Sequence, residues 1–216
     1  MKKKLIIFDL DGTLLNTVAD LACATNFALS ELGYPTHTEA TIQGFVGNGV
    51  SKLLERALPE EERSEPNVTR LRDIFTKYYD EHNADLSTPY HGILDVLSYF
   101  QECGLSLAVA SNKYQSATEK LVSHYFADIH FSCVLGQRNG KPVKPDPQIV
   151  NEIIEHLNVS RDGVLYVGDS GVDMQTAHNA QVDAIGVSWG FRPRTELESY
   201  PHLAIVDRAD ELKDLV

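Results

Sequence analysis

The sequence predicts an α/β fold, a doubly wound parallel sheet with an all-helical insertion just after its first strand. Five short apolar runs, each close to a Gly, Asp or Ser, read as strands. Their apolarity is continuous rather than alternating, which suits strands covered by helices on both faces. Helical periodicities separate the runs, and that alternation with short connections builds a parallel sheet. Between the first two runs the rhythm lapses, and from about Thr17 to Thr88 only helical patterns occur. The predicted division is a core of residues 1–15 and 89–216 carrying a helical cap of residues 16–88.

The elements follow in order. Leu5–Phe8 is the first strand, stopped by Asp9. The insertion opens with Leu21, Thr25, Ala28, Leu29 and Leu32 at helical spacing and halts at Gly33, a residue suited to a helix C-terminus. Thr36-His37-Thr38-Glu39 has the form of a capping box. Val50, Leu53, Leu54, Ala57 and Leu58 make another stripe, and Val68, Leu71, Phe75 and Tyr78 a further one. Back in the core, Ile93, Leu94, Val96, Leu97 and Phe100 predict a helix that ends at Gly104. Strands are expected at 105–110, 133–135, 164–167 and 184–187. Asp146-Pro147 offers an N-cap with Pro at the first helical position, followed by the stripe Ile149, Ile153, Ile154 and Leu157.

Composition narrows the function. With 216 residues and 43% hydrophobic content the chain can bury a sizeable core. Its 19 Lys and Arg against 31 Asp and Glu give a formal charge of −12, which disfavours nucleic acid and anionic membrane as partners. An anionic substrate would then need a metal ion or a few placed lysines and arginines. The three cysteines are widely spaced and form neither a metal pattern nor a disulfide framework. The start, Met1-Lys2-Lys3-Lys4 and then Leu5–Phe8, imitates a secretory leader, but the apolar run stops too soon, and no stretch approaches a membrane span. A cytoplasmic protein, monomeric or homodimeric, is expected.

The sharpest chemical signal is Phe8-Asp9-Leu10-Asp11-Gly12-Thr13. A strand that ends in an aspartate with a second one two residues on places both carboxyls at the ligand-binding end of a parallel sheet, on one side of the backbone if the chain stays extended. Two such carboxylates repel unless a cation or a shared proton compensates. Alone, the segment also reads as a strand with a polar Asp-Gly turn. Further on, Ser111-Asn112 follows the second long strand, Lys144 precedes Pro145-Asp146-Pro147, and Gly168-Asp169-Ser170-Gly171-Val172-Asp173 follows the strand at 164–167.

With these motifs in this order the chain resembles the haloacid-dehalogenase-like (HAD) hydrolase superfamily along its whole length, with the cap in the family's C1 position. The resemblance implies a Rossmann-like core, Mg²⁺ as cofactor and a small phosphorylated metabolite as substrate. Asp9 would be the nucleophile, forming an aspartyl-phosphate, and Asp11 the general acid and then base. Thr13 would orient them, while Ser111, Asn112 and Lys144 would bind the oxygens of the transferring phosphoryl group. Asp9, the backbone carbonyl of Asp11 and Asp169 would hold Mg²⁺, with Asp173 one helical turn on, acting through a water or behind the ligands.

Within the superfamily the chain looks most like phosphoglycolate phosphatases, through Phe45-Val46-Gly47-Asn48-Gly49-Val50, Ser111-Asn112-Lys113 and Val187-Ser188-Trp189-Gly190-Phe191. Gly47, Asn48 and Lys52 would meet the leaving group, Lys52 taking a second anionic group; the same stretch also reads as a helix N-terminus punctuated by Gly. Asn16-Thr17, where relatives often have Asp-Ser, and Tyr114, where they often have Pro, depart from the pattern. A sugar-phosphate mutase, a pyrophosphatase or nucleotidase and a phosphonate hydrolase remain alternatives on the same fold, and a phosphometabolite-binding regulator is the alternative without catalysis. Trp189 is expected to pack against the sheet edge.

Overall fold

The computed structural model describes residues 3–216; residues 1 and 2, the start of the expected core segment and of the leader-like run, lie outside it. Six strands form one parallel sheet in the order β5-β4-β1-β6-β7-β8. They are β1 (Leu5–Phe8), β4 (Ser106–Tyr114), β5 (Phe131–Gln137), β6 (Val164–Gly168), β7 (Asp183–Val187) and β8 (Ala204–Val206). A separate antiparallel pair, β2 (Leu15–Asn16) with β3 (Thr88–Pro89), marks where the chain leaves the core and returns. The helices are α1 (Val18–Glu31), α2 (Glu39–Phe45), α3 (Val50–Ala57), α4 (Glu65–His82), α5 (Ile93–Glu102), α6 (Gln115–Tyr125), α7 (Gln148–Leu157), α8 (Gly171–Ala180) and α9 (Arg194–Leu197). None of the described helices is long and apolar enough to cross a membrane.

The continuous apolarity of β1 has the predicted cause. Ile6 and Phe8 enter one cluster with Ile93, Leu97 and Phe100 of α5, while Leu5 and Ile7 enter the other with Ile153 of α7 and Met174 of α8. Each such side chain contributes about 1.5–3 kcal/mol on burial. A third cluster lies within α1–α4 and is built on Leu29, Ile42, Leu54, Leu71, Phe75 and Tyr79, so these helices have a core of their own.

Several local expectations are adjusted. The Thr36 capping box gives way to Thr38, which caps α2 by accepting from the Thr41 N–H at 3.2 Å. α7 begins at Gln148 rather than Pro147, with the Asp146 carboxylate accepting the Gln148 N–H at 2.8 Å. On α4 the inward stripe is Leu71, Phe75 and Tyr79. Tyr78 turns aside to stack on Phe27, with ring centroids 4.3 Å apart. β4 continues through Ser111, Asn112 and Lys113 instead of ending before them, and the three-residue edge strand β8 had no sequence signal beyond a short apolar triplet.

Candidate active site

The carboxyl ends of β4, β1 and β6 lie side by side, with Phe8 paired to Val109 on one flank and Val167 on the other. Asp9 leaves the end of β1, Ser111 to Lys113 come from β4, and Asp169 follows β6. Asp9 Oδ1 accepts the Leu10 N–H at 2.7 Å and lies 2.9 Å from Lys144 Nζ. Gly12, at φ +84, turns the chain so tightly that a Cβ there would lie 2.3 Å from Asp169 Oδ2. Only glycine meets both the backbone angle and the space. Thr13 Oγ1 donates to Asp169 Oδ1 at 3.3 Å, and its carbonyl accepts from the Trp189 indole at 3.1 Å. Trp189 packs against the main core cluster beside Tyr90.

Lys144 is buried under this floor. Its ammonium donates to the Ala110 carbonyl (2.9 Å), the Tyr166 hydroxyl (3.0 Å) and Asp173 Oδ1 (2.7 Å) as well as approaching Asp9. Burial pulls its pKa down, but Asp173 and Asp9 outweigh that and hold the ammonium well above its ordinary value. Asp173 Oδ2 accepts from the N–H and hydroxyl of Ser170, which reciprocally caps α8. Both oxygens of Asp173 therefore face protein donors.

Asp9, Asp169 and Asp173 offer carboxylate oxygens within 4.8 Å of one another. Burial pushes the Asp9 carboxyl up to about 7, with Lys144 opposing and Asp173 and Asp11 adding to the rise. Asp169 is pushed well above the usual range by burial, Asp173 and Asp9. Three buried carboxylates against one lysine leave an excess of negative charge, the condition that a hard divalent cation relieves. The donor set fits such an ion.

Across the cleft Asp11 has two partners. Thr17 Oγ1 donates to Oδ1 at 2.6 Å, and Lys113 Nζ stands 3.2 Å from Oδ2. Lys113 also donates to the Tyr79 hydroxyl at 2.8 Å, with its ammonium 4.6 Å from that ring's centroid. Ser111 Oγ accepts the Lys113 N–H at 3.2 Å. Asn112 acts as a strut: its Oδ1 accepts the Lys144 N–H, and its Nδ2 donates to the carbonyls of Lys144 and Gly47.

The cleft is walled by Leu21, Val50, Leu53, Phe75 and Tyr79 of the helical insertion. Gly47 lines it, whereas Asn48 turns away to accept from Arg56 at 2.8 Å. Lys52 is not brought to the cleft: its side chain is 57% exposed and pairs with Glu55 on the outer face of α3. Further contacts join insertion to core on both sides of the cleft. Tyr114 donates to Asp80 at 2.6 Å, and Lys120 donates to the Asp80 carbonyl. On the other side Arg192 donates to the carbonyls of Gln43, Gly44 and Val46 at the end of α2. Its neighbour Phe191 gives its N–H to Asp169 Oδ2 at 2.7 Å and accepts from Gln43.

Thr17, Tyr79, Lys113 and Arg192 were not singled out as site residues from sequence. A four-residue spacing from Leu71 through Phe75 marks Tyr79, and Lys113 lies beside the Ser-Asn pair; Thr17 stands out only as a departure from the usual Asp-Ser, and Arg192 carries no local signal.

The comparisons agree with this architecture. The family model for haloacid dehalogenase-like hydrolases matches residues 6–187. A phosphoglycolate phosphatase of Mesorhizobium japonicum is 32% identical over 98% of this chain and 94% of its own. One from Thiobacillus denitrificans is 35% identical over 90% and 88%. A crystal structure from Lactobacillus delbrueckii subsp. bulgaricus, provisionally named a phosphoglycolate phosphatase, superposes with a TM-score of 0.92 at 35% identity, covering 100% of this chain and 98% of that one. A parallel sheet with paired aspartates at its central strand end, a buried lysine and an acidic loop after β6, matched by that family model over most of its length, places this chain in the haloacid dehalogenase-like hydrolase family.

Proposed function

We propose that the protein is a Mg²⁺-dependent phosphatase that hydrolyses a small, phosphoglycolate-like phosphomonoester through an aspartyl-phosphate on Asp9. The observation that carries this reading is the separate housing of two aspartates two residues apart. Asp9 is fixed on the floor by Lys144 and the Leu10 N–H, and Asp11 on the wall by Thr17 and Lys113.

In the proposed reaction an Asp9 oxygen attacks phosphorus in line, the bond from phosphorus to the leaving oxygen breaks, and Asp11 gives that oxygen its proton. Asp11 then takes a proton from water, which attacks the acyl phosphate; inorganic phosphate leaves and both carboxyls return to their starting states. Thr17 keeps the Asp11 carboxyl aimed through both steps. Ser111, which lines the cleft with Asp9, and the ammonium of Lys144, 2.9 Å from Asp9 Oδ1, would steady the phosphoryl oxygens. Mg²⁺ held by Asp9, Asp169 and the Asp11 carbonyl, with Asp173 behind them, would supply positive charge to those oxygens.

The substrate preference rests on the named relatives and on the cleft. Its walls at Leu21, Val50, Leu53 and Phe75 offer no hydrogen bonds to a polyol, which favours a short leaving group over a sugar. Phosphate release from 2-phosphoglycolate, sugar phosphates, nucleotides and pyrophosphate, with and without Mg²⁺, tests the reading. Asp9→Asn is expected to abolish Mg²⁺-dependent release. An Asp9→Asn protein as active as the wild type overturns the nucleophile assignment, and dominant turnover of nucleotides overturns the substrate class.

A further inference from the structure

We infer that Lys113 reads a carboxylate on the substrate's leaving group, with Asp11 as its counter-ion until that carboxylate arrives. The inference rests on the phosphatase reading above and deepens it, because it assigns the recognition of the non-reacting end to one residue.

The cations that line the cleft are Lys113 and Arg192. Arg192 is committed to three carbonyls at the end of α2, and Lys144, beneath the floor, to Asp9 and Asp173. Lys52, the residue expected to meet a second anionic group, is on the outer face of α3. That leaves Lys113, whose side chain is only 3% exposed. A lysine so buried is costly unless paired, and among the described residues its one carboxylate partner is Asp11, the group the proposed reaction needs at the leaving oxygen. Its other partner is the Tyr79 hydroxyl, whose pKa burial raises well above the usual phenol value, so Tyr79 stays neutral and does not compete as an anion. Two of three ammonium donors are thus engaged, one by a carboxylate that, once the substrate's own carboxylate displaces it, takes a proton from solvent and turns to the leaving oxygen as its acid.

Distance selects the ligand. Lys113 Nζ lies 3.2 Å from Asp11 Oδ2, and Asp11 reaches the leaving oxygen through one hydrogen bond of about 2.8 Å. The ammonium is therefore roughly 6 Å or less from that oxygen. A carboxylate one carbon beyond the ester oxygen spans about half of this, and a hydrogen bond covers the rest. A phosphorylated two-carbon hydroxy acid fits; a neutral chain of the same length leaves the buried ammonium with Asp11 alone. Because the surrounding walls are apolar, the charge pair forms with little competing solvent, where it discriminates strongly.

The test compares 2-phosphoglycolate with ethyl phosphate, which has the same chain length and no carboxylate, on wild type, Lys113→Met and Lys113→Arg with Mg²⁺. The wild type is expected to prefer phosphoglycolate. In Lys113→Met the ratio of the two kcat/KM values should fall roughly 100-fold, chiefly through KM for phosphoglycolate, and Lys113→Arg should recover part of it. Tyr79→Phe, which keeps the ring and the fold, should lower the same ratio less, so the inference stays testable if Lys113→Met does not fold. Equal losses on both substrates, or an unchanged ratio in Lys113→Met and Tyr79→Phe alike, overturn the inference and leave the phosphatase reading intact. A wild type that releases phosphate from neither compound overturns the phosphoglycolate-like substrate class, and this inference with it.

Discussion

Replacing Lys144 with Met tests the electrostatics of the site through stability. The methionine keeps much of the side chain's length and apolar body but removes a charge that contacts Asp173 at 2.7 Å and Asp9 at 2.9 Å. Asp173 Oδ1 then retains the Tyr166 hydroxyl at 3.1 Å, and Asp9 Oδ1 the Leu10 N–H. Breaking a buried pair by removing one partner costs about 3–5 kcal/mol, because the other charge is left without compensation. For a chain of this size that is a fall in Tm of roughly 6–20 °C. The pH dependence has a fixed sign. Without Lys144 the folded-state pKa of Asp9, already raised by burial, rises further above that of the unfolded chain, so the deficit is small at about pH 4 and grows towards pH 7. Adding Asp173→Asn to Lys144→Met removes the stranded charge and should restore about 1–3 kcal/mol. Calorimetry at several pH values, with EDTA and with Mg²⁺, measures all of this. A Lys144→Met protein within about 3 °C of wild type at pH 7, or a double variant less stable than the single one, would refute the view of Lys144 as the compensating charge.

Two further substitutions examine the frame around the site. Gly12→Ala places a methyl 2.3 Å from Asp169 Oδ2 at φ +84. It should therefore displace Asp169 and lower kcat/KM about 100-fold or more, and phosphate release within fivefold of wild type (about 1 kcal/mol) contradicts it. Arg192→Met removes three charge-assisted hydrogen bonds that hold the end of α2 to the loop carrying Phe191. KM for phosphoglycolate should rise about tenfold or more, and an unchanged KM argues that this contact does not shape the substrate cleft.

Much of the core was legible because both the pattern and the chemistry are local. Continuous apolarity in β1 and β6 reports two covered faces, and an aspartate directly after such a run can only emerge at the sheet's carboxyl end. Asp9, Asp11 and Asp169 follow from that logic. What was not legible depends on rotation and on contacts across the insertion. Successive residues on a helix point about 100° apart, so turning Val50 and Leu53 towards the cleft carries Lys52 out to solvent. The same rotation separates Tyr79, buried beside Lys113, from Tyr78 on the outer face. Thr17 departs from the common pattern of relatives yet donates to Asp11, since a hydroxyl at that position suffices for the hydrogen bond. Arg192 shares no periodicity with Gln43 or Val46 and meets them only through the fold. Sequence spacing reports neighbours along an element; it is silent on the opposite wall of a cleft.

The charge balance of the chain raises a question that the two buried lysines answer. A formal charge of −12 would repel a doubly charged anion if all charges acted equally. They do not: exposed carboxylates are screened over about 10 Å at ordinary ionic strength, whereas an ammonium in a dry cleft acts through a far lower effective dielectric. Lys144 and Lys113 are respectively 2% and 7% exposed. Each is paired with a different aspartate of the same short motif, Lys144 with Asp9 and Lys113 with Asp11. In the proposed reaction both pairs reorganise when the substrate enters, Lys144 sharing its charge with the phosphoryl group and Lys113 with the carboxylate. The aspartates therefore occupy, in the free enzyme, the positions of negative charge that the two ends of the substrate later bring. A substrate with one anionic end satisfies one lysine, and one with two, spaced as these lysines are, satisfies both. In that proposal selectivity follows from the spacing of two buried cations rather than from the sign of the surface, so that an acidic protein can choose an acidic metabolite.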